Sequence, residues 1–266
     1  MVGIVNVTPD SFSDGGDFFS PDAAVARGRQ LVADGADILD IGGESTRPNA
    51  TPVLVSEEIR RVVPVIRGLR LALPDIPLSI DTVKAPVAEA AIETGAAIVN
   101  DVSGLRLDPD MGPLCASSGV GVVLMHSRGA VRDMATYSHA QYTEVTREVV
   151  AELRSRVSAA RDSGIDDRSV VLDPGIGFSK RTEHSIQLLA DLPQIVALGP
   201  PILVGVSRKR FIGEITGVTT AADREEGTMA ANVVALTLGA RLFRVHDVRA
   251  ARRSLDVAWE ILRRTH

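Results

Sequence analysis

Eight short apolar runs in this 266-residue sequence each end in residues able to bind or react. Two chemical groups stand out at those ends. One is acidic or amide: Asp81, Asn100, Asp101 and Asp173, with Asn6 nearby. The other is basic: Arg47, Arg208, Lys209, Arg210, Arg244 and His246. Cations gathered in SRKR (residues 207–210) and RVHD (residues 244–247) are what an oxyanion such as phosphate requires. A carboxylate beside an amide suits an amino-pyrimidine edge, which presents parallel N–H donors, as in a pterin or purine ring. An anion pocket beside a separate carboxylate pocket predicts a ligand with two unlike ends, a phosphorylated heterocycle.

The runs that must position these groups are VGIVN (2–6), DILDIGGESTR (37–47), LSIDT (78–82), AIVND (97–101), VVLMH (122–126), VVLDPG (170–175), LVGVSRK (203–209) and LFRVHD (242–247). A near-continuous apolar run marks a strand buried on both faces. Chemistry at the same end of every run predicts an α/β protein, a (β/α)8 TIM barrel with its reactive residues on the C-terminal rim. Phosphates in such barrels often lie by the loops after strands 7 and 8, where SRKR and RVHD fall. The acids come from strands 3, 4 and 6 and should line the other part of the mouth.

Punctuation supports the same repeat. DGADILDI (34–41), TGAAIVND (94–101) and LGARLFRV (238–245) share a Gly-Ala step before a strand, with SSGVGVVLM (117–125) a looser copy. Glycine takes the left-handed position past a helix at low cost, so each copy reads as helix end, short loop, strand. Ser20-Pro21-Asp22 reads as a helix start, as do Ser56-Glu57-Glu58 and Ala85-Pro86. Residues 141–163 should form a long helix with Arg/Glu pairs on its exposed side, and residues 248–264 a final one. Long loops follow strand 1 (8–19), strand 2 (42–54) and strand 5 (127–140), on the reactive side. With no linker or low-complexity tract, residues 1–266 read as one domain.

Composition narrows the classes. A net charge of −5 argues mildly against a nucleic-acid surface, and 45% hydrophobic residues fit a globular chain. No apolar run has the length of a membrane span and no signal peptide precedes the first strand, so the cytoplasm is the default compartment. Cys115, the one cysteine, excludes an internal disulfide and should serve packing. Trp259 should pack against the barrel. Adjacent strand residues face opposite sides, so Asn100 rather than Asp101 should face the mouth. Asp40, inside an apolar run, reads more as an orienter of a neighbour than as a ligand contact. His126 reads either as pocket wall or as a catalytic group, and His139, His184 and His266 as loop or terminal residues. No zinc spacing and no nucleophile elbow is present.

Eight ordered segments make the sequence specific. NVTPDSFSDGG (6–16) and GGESTRP (42–48) resemble the two mobile loops of the dihydropteroate synthase family. SIDT (79–82), NDVSG (100–104), LMH (124–126), DPGIGFSK (173–180), SRKRFIG (207–213) and RVHDV (244–248) continue the likeness in order. The resemblance implies condensation of a dihydropterin methyl diphosphate with 4-aminobenzoate, with release of pyrophosphate. It assigns the pterin to Asp81, Asn100, Met125, Asp173 and Lys209. The diphosphate falls to Asn6, Arg244, Val245 and His246, with Asn6 as protein ligand to Mg2+. Phe12, Thr46, Pro48, Phe178 and Ser207 border the 4-aminobenzoate site. Asp81, Lys209, Arg47 and Thr46 take the catalytic roles, the last two from the second loop.

The resemblance also implies an ionisation-first substitution, Mg2+ as cofactor, a homodimer through C-terminal helices, and neither nucleic acid nor membrane as partner. Two departures accompany it: the N-terminal hairpin usual before strand 1 has no counterpart here, and residues 127–139 match the family loosely. Other outcomes are a sulfonamide-tolerant variant, a pterin-dependent methyltransferase, which would not need the SRK and RVHD cations, and a degenerate binding protein, which should have lost rim residues.

Overall fold

The computed structural model describes residues 1–8, 20–46 and 51–264. Its elements run β1 (Val2–Asn6), α1 (Pro21–Ala33), β2 (Ile38–Gly42), α2 (Val55–Ala72), β3 (Leu78–Asp81), α3 (Ala85–Thr94), β4 (Ile98–Asp101) and α4 (Met111–Ser118). They continue β5 (Gly121–Met125), α5 (Val131–Met134), α6 (Val145–Asp162), β6 (Val170–Asp173), α7 (Thr182–Ala190) and α8 (Leu192–Val196). The last are β7 (Leu203–Val204), α9 (Arg210–Thr216), α10 (Glu225–Thr237), β8 (Leu242–Val245) and α11 (Val248–Leu262). All eight strands pair in parallel in the order β6-β5-β4-β3-β2-β1-β8-β7. A lone bridge, Leu172 to Ile202, draws β6 towards β7 and nearly closes the barrel.

The side-chain period of two explains the site. Val2, Val123 and Leu203 cluster with Ile38, Ile98, Val171 and Leu242 as an apolar layer within the barrel. Two residues further along each strand, the same inward face carries Ile4, Asp40, Asn100, Met125, Asp173, Gly205 and Arg244. The alternate residues, among them Leu39, Ile41, Ile80, Val99, Leu124, Leu172, Val204 and Val245, are buried in the larger core beneath the helices. A one-residue shift would exchange the two sets, so the apolar floor fixes which polar residues face the mouth.

Local signals account for much of the helical shell. Ser20 Oγ accepts from Ala23 N at 3.4 Å at the start of α1, and Gly35, Gly95 and Gly239 hold φ of +105°, +115° and +109° before their strands. Three expectations change. Helix α2 begins at Val55 with Leu54 as its cap, so Ser56 does not cap it. Helix α6 starts at Val145, because Glu148 Oε1 accepts from Thr143 N (2.7 Å) and Glu144 N (3.0 Å), holding those residues outside the helix. Its Glu148 and Glu152 bond Arg128 instead of helix neighbours, although Arg147 and Glu144 do pair at 2.8 Å.

Trp259 is 46% exposed, with the Arg241 guanidinium 5.4 Å from its ring centroid, so it caps a surface instead of filling the core. His184 lies within α7, where its Nδ1 accepts from Arg181 N at 3.2 Å. Cys115 is buried in α4, and burial pushes its thiol up to about 12. No described helix is long and apolar enough to cross a membrane.

Candidate active site

A cavity of about 640 Å³ opens at the C-terminal ends of the strands. Asn6, Thr46, Asp81, Asn100, Met125, Asp173, Phe178, Ser207, Lys209, Arg244 and His246 all line it. Phe12, Arg47 and Pro48 lie outside the described residues. Val245 points into the core beneath the helices, because it neighbours the inward Arg244 on the same strand. Asp101 also turns away: its carboxylate accepts from Ser103 N at 2.7 Å and Leu105 N at 2.8 Å, bracing the turn after β4. Arg208 borders the cavity at φ +61°, with its Nε donating to Glu225 at 2.9 Å.

The two expected patches are interlocked instead of separate. Arg244 reaches across the barrel from β8, donating through Nε to Asp40 Oδ2 (2.6 Å) and through a terminal nitrogen to Asp81 Oδ2 (2.8 Å). Asp40 Oδ2 also accepts from Asn100 Nδ2 at 3.0 Å, while its Oδ1 is buried without a partner. Asp40 thus orients an amide and a cation at once and does not itself line the cavity. One guanidinium cannot neutralise two carboxylates. Burial first, and then the Asp40 charge, outweigh Arg244 and push Asp81 up to about 7.

Opposite, Asp173 and Lys209 form a second charged couple. Asp173 Oδ1 accepts from Gly175 N at 2.7 Å, and burial raises its carboxyl against the pull of Lys209. Burial pulls Lys209 down to about 8 against the opposing pull of Asp173. Lys209 Nζ donates to the Ile176 carbonyl and stands 4.5 Å from the Phe178 ring centroid, so one lysine touches both the polar floor and the aromatic wall. Met125 and Phe178 pack in one small cluster with Val83, Val102 and Met134, which gives that side of the cavity its apolar face.

Beside these, Ser207 Oγ stands 2.9 Å from His246 Nδ1 and accepts from His246 N at 3.2 Å. Arg27 of α1 donates to the His246 carbonyl at 2.8 Å. Ser207, expected beside the second substrate, therefore meets the residue predicted for the diphosphate.

Lys180 and Lys84 were not assigned a role from the sequence, and His126, read as pocket wall or catalytic group, proves to be neither a lining residue nor exposed to the cavity. Lys180, fully buried, borders the cavity and contacts His126. His126 does not line the cavity; it sits behind it between Lys180 and Glu152. Lys84, at the start of α3, binds Glu44 Oε2 (3.0 Å), the Val53 carbonyl (2.7 Å) and the buried Glu58 (2.7 Å). That tie joins both flanks of the segment after β2, which carries Thr46, to the strand that carries Asp81. A lysine inside the DPGIGFSK run was the sequence signal for Lys180; nothing local marked Lys84.

A model of the pterin binding enzyme family matches residues 2–246. The dihydropteroate synthase of Mycobacterium leprae is 47% identical over 97% of this chain and 93% of its own length. The mitochondrial folate synthesis bifunctional protein of Arabidopsis thaliana is 44% identical over 99% of this chain, which spans 50% of that protein. A Xanthomonas albilineans dihydropteroate synthase structure with 4-aminobenzoic acid superimposes with a TM-score of 0.91 at 48% identity, covering 98% of this chain and 92% of that one. A structure of the same enzyme with 7,8-dihydropteroate gives a TM-score of 0.87 at 46% identity, with the same coverage.

Proposed function

The chain belongs to the family of pterin-binding enzymes that includes the dihydropteroate synthases, and we propose that its rim joins a (7,8-dihydropterin-6-yl)methyl diphosphate to 4-aminobenzoate. It is a transferase of folate synthesis. The observation that carries the substrate assignment is the shared cavity: pterin-type acceptors Asp81, Asn100 and Asp173 and anion-type donors Arg244 and His246 face one space of ligand size.

In this reading Asp173, Asn100 and Lys209 hold the pterin edge, and Arg244 and His246 hold the diphosphate. The C–O bond to the diphosphate breaks first, leaving positive charge on the pterin methylene carbon. Asp81 and Asp173 face that charge from the floor, and their acceptors are already fixed before the charge develops. The amine of 4-aminobenzoate then forms the C–N bond and gives up a proton, while pyrophosphate leaves with the electron pair of the broken bond. Phe178, Met125 and Thr46 narrow the space around that carbon, which water would otherwise capture. Arg47, Phe12 and Pro48, outside the described residues, belong to the same assignment. No covalent nucleophile is needed.

Asn6 is the residue that would hold Mg2+. Its amide oxygen is a hard donor at the end of β1, half-buried on the cavity, and Mg2+ commonly takes one or two protein oxygens and fills its shell from phosphate and water. The donor set fits. When bound, the ion supplies charge neutralisation of the departing diphosphate.

The proposal extends to a cytoplasmic homodimer. Val257 and Ile261 on α11, 62% and 60% exposed, and the half-exposed Val234 on α10 support an apolar interface there. Light scattering at micromolar concentration tests it, with a monomer as the refuting result. Incubating the protein with the dihydropterin diphosphate, 4-aminobenzoate and Mg2+ tests the activity: stoichiometric pyrophosphate and dihydropteroate are expected. Absence of pyrophosphate would leave the methyl-transfer alternative standing. The same assay with a sulfonamide reports drug tolerance.

A further inference from the structure

Beside the Phe178 wall a string of polar groups, buried at Lys180 and His126, runs from the cavity edge outward, and the reaction does not use it. Lys180 is 1% exposed and His126 2%. Lys180 Nζ lies 2.8 Å from His126 Nδ1 and donates to the Phe178 carbonyl at 3.0 Å. His126 Nε2 lies 3.1 Å from Glu152 Oε2 on α6. Arg128 closes the string, donating through Nε to Glu152 at 3.0 Å, through Nη2 to Glu148 at 2.8 Å and through Nη1 to the Gln141 carbonyl at 2.7 Å. The imidazole satisfies both neighbours as the neutral Nε2–H tautomer: Nε2 donates to the carboxylate and Nδ1 accepts from the amine. Burial, and then the Lys180 charge, hold His126 down to about 4, so that form persists at neutral pH.

The string ends on a loop whose shape matters to the cavity. Residues 175–178 leave β6 through Gly175 at φ +66° and Gly177 at φ +80°. A Cβ on Gly175 would collide with the His126 carbonyl, so the loop lies directly on β5. Its Ile176 carbonyl is taken by Lys209 and its Phe178 carbonyl by Lys180. A lysine this deeply buried is costly to keep, and a barrel core of this kind would be at least as stable with an apolar residue there. What the amine adds is a fixed point for one carbonyl.

We propose that Lys180, oriented by His126 and Glu152, is a positioning residue for the arylamine subsite: it fixes the Phe178 carbonyl and so sets the ring that walls that subsite. It acts through Phe178 and does not touch the substrate. This rests on the assignment of Phe178 to 4-aminobenzoate made above.

Steady-state kinetics with each substrate varied in turn tests it. Lys180→Met keeps the stem and removes the donor. Its KM for 4-aminobenzoate should rise about tenfold, with kcat and the KM for the pterin diphosphate within about twofold of wild type. His126→Asn keeps an acceptor near the place of Nδ1 and should hold the 4-aminobenzoate KM within about threefold, whereas His126→Leu should match Lys180→Met. An unchanged 4-aminobenzoate KM in a folded Lys180→Met protein overturns the proposal. So does a parallel loss in kcat and both KM values, which a merely structural role would give. If Lys180→Met does not fold, equal KM values for the Asn and Leu variants of His126 overturn it. Wild-type protein without pyrophosphate release defeats the functional reading, and this inference with it; normal wild-type turnover with unaltered variants defeats the inference alone.

Discussion

Two of the charged networks in this fold differ in how completely they are satisfied. The string of Lys180, His126, Glu152 and Arg128 alternates donors and acceptors, and none of its polar atoms is left buried without a partner. The cluster of Asp40, Asp81, Asn100 and Arg244 shares one guanidinium between two carboxylates and leaves Asp40 Oδ1 without a partner. Burying polar groups is costly until they are paired. The first network has met that cost within the protein and acts as scaffold. The second has deferred part of it, and a ligand that brings donors and negative charge can complete it.

The largest test of this contrast is Arg244→Met. If the incomplete network exists to meet the diphosphate, kcat/KM should fall by about 10²–10³-fold, as for loss of a transition-state charge donor. A loss below about tenfold in pyrophosphate-release assays would mean that Arg244 serves only Asp40 and Asp81. Next in size is Asp173→Asn, which turns a donor towards the donors of the pterin edge. Pterin binding by calorimetry should weaken by about 1.5–3 kcal/mol, and near-normal binding would remove Asp173 from that edge.

The complete network should reveal itself in stability instead. His126 has a folded pKa of about 4 against 6.5, so between those values the unfolded chain binds more protons than the folded one. Its contribution is therefore full above pH 6.5 and is lost as pH falls towards 4; with the pKa lowered from 6.5 to about 4 it is on the order of 3 kcal/mol. His184 and Lys180 shift in the same sense, so the quantity to measure is the difference between wild type and His126→Asn in urea melts at pH 7 and pH 4.5. Equal pH slopes would deny His126 this role. The smallest effect is the control. Arg168 and Asp166 pair at 2.6 Å on the surface, and Arg168→Ala should leave the melting temperature unchanged, because the pair is solvated with or without its partner.

Much of this architecture was legible in the chain because it depends on local pattern. Apolar runs gave the strands, the Gly-Ala steps gave the helix ends, and the period of two chose Asn100 over Asp101. What could not be read were pairings made by barrel closure. Asp40 meets Asn100 and Arg244 across 60 and 204 residues of sequence. The separation of acids from cations therefore failed as an expectation, because it followed chain order where the barrel brings β8 beside β1, and Arg244 reaches from there to Asp40 and Asp81. Lys180 was hidden for another reason: lysines are rarely buried, so nothing in its type marks it as interior. The start of α6 was misplaced because Glu148 reaches back to two amides, a side-chain event that helical periodicity does not record.

The seam between β6 and β7 has a consequence in time instead of space. Strand β7 has two residues, Leu203–Val204, and meets β6 through the lone Leu172–Ile202 bridge and the 2.9 Å bond from Leu172 N to the Pro201 carbonyl. So few cross-strand bonds should make this a stretch of the barrel wall that opens readily. Asp173 stands on one lip of the seam and Lys209 beyond the other. A molecule that binds both acts as a suture, so its arrival should slow amide hydrogen exchange at Leu172 and Leu242, whose amides donate across or beside the seam to Pro201 and Ile202, well before any change in the far wall of β3 and β4. Ligand occupancy in this barrel is thus readable as the breathing rate of this joint.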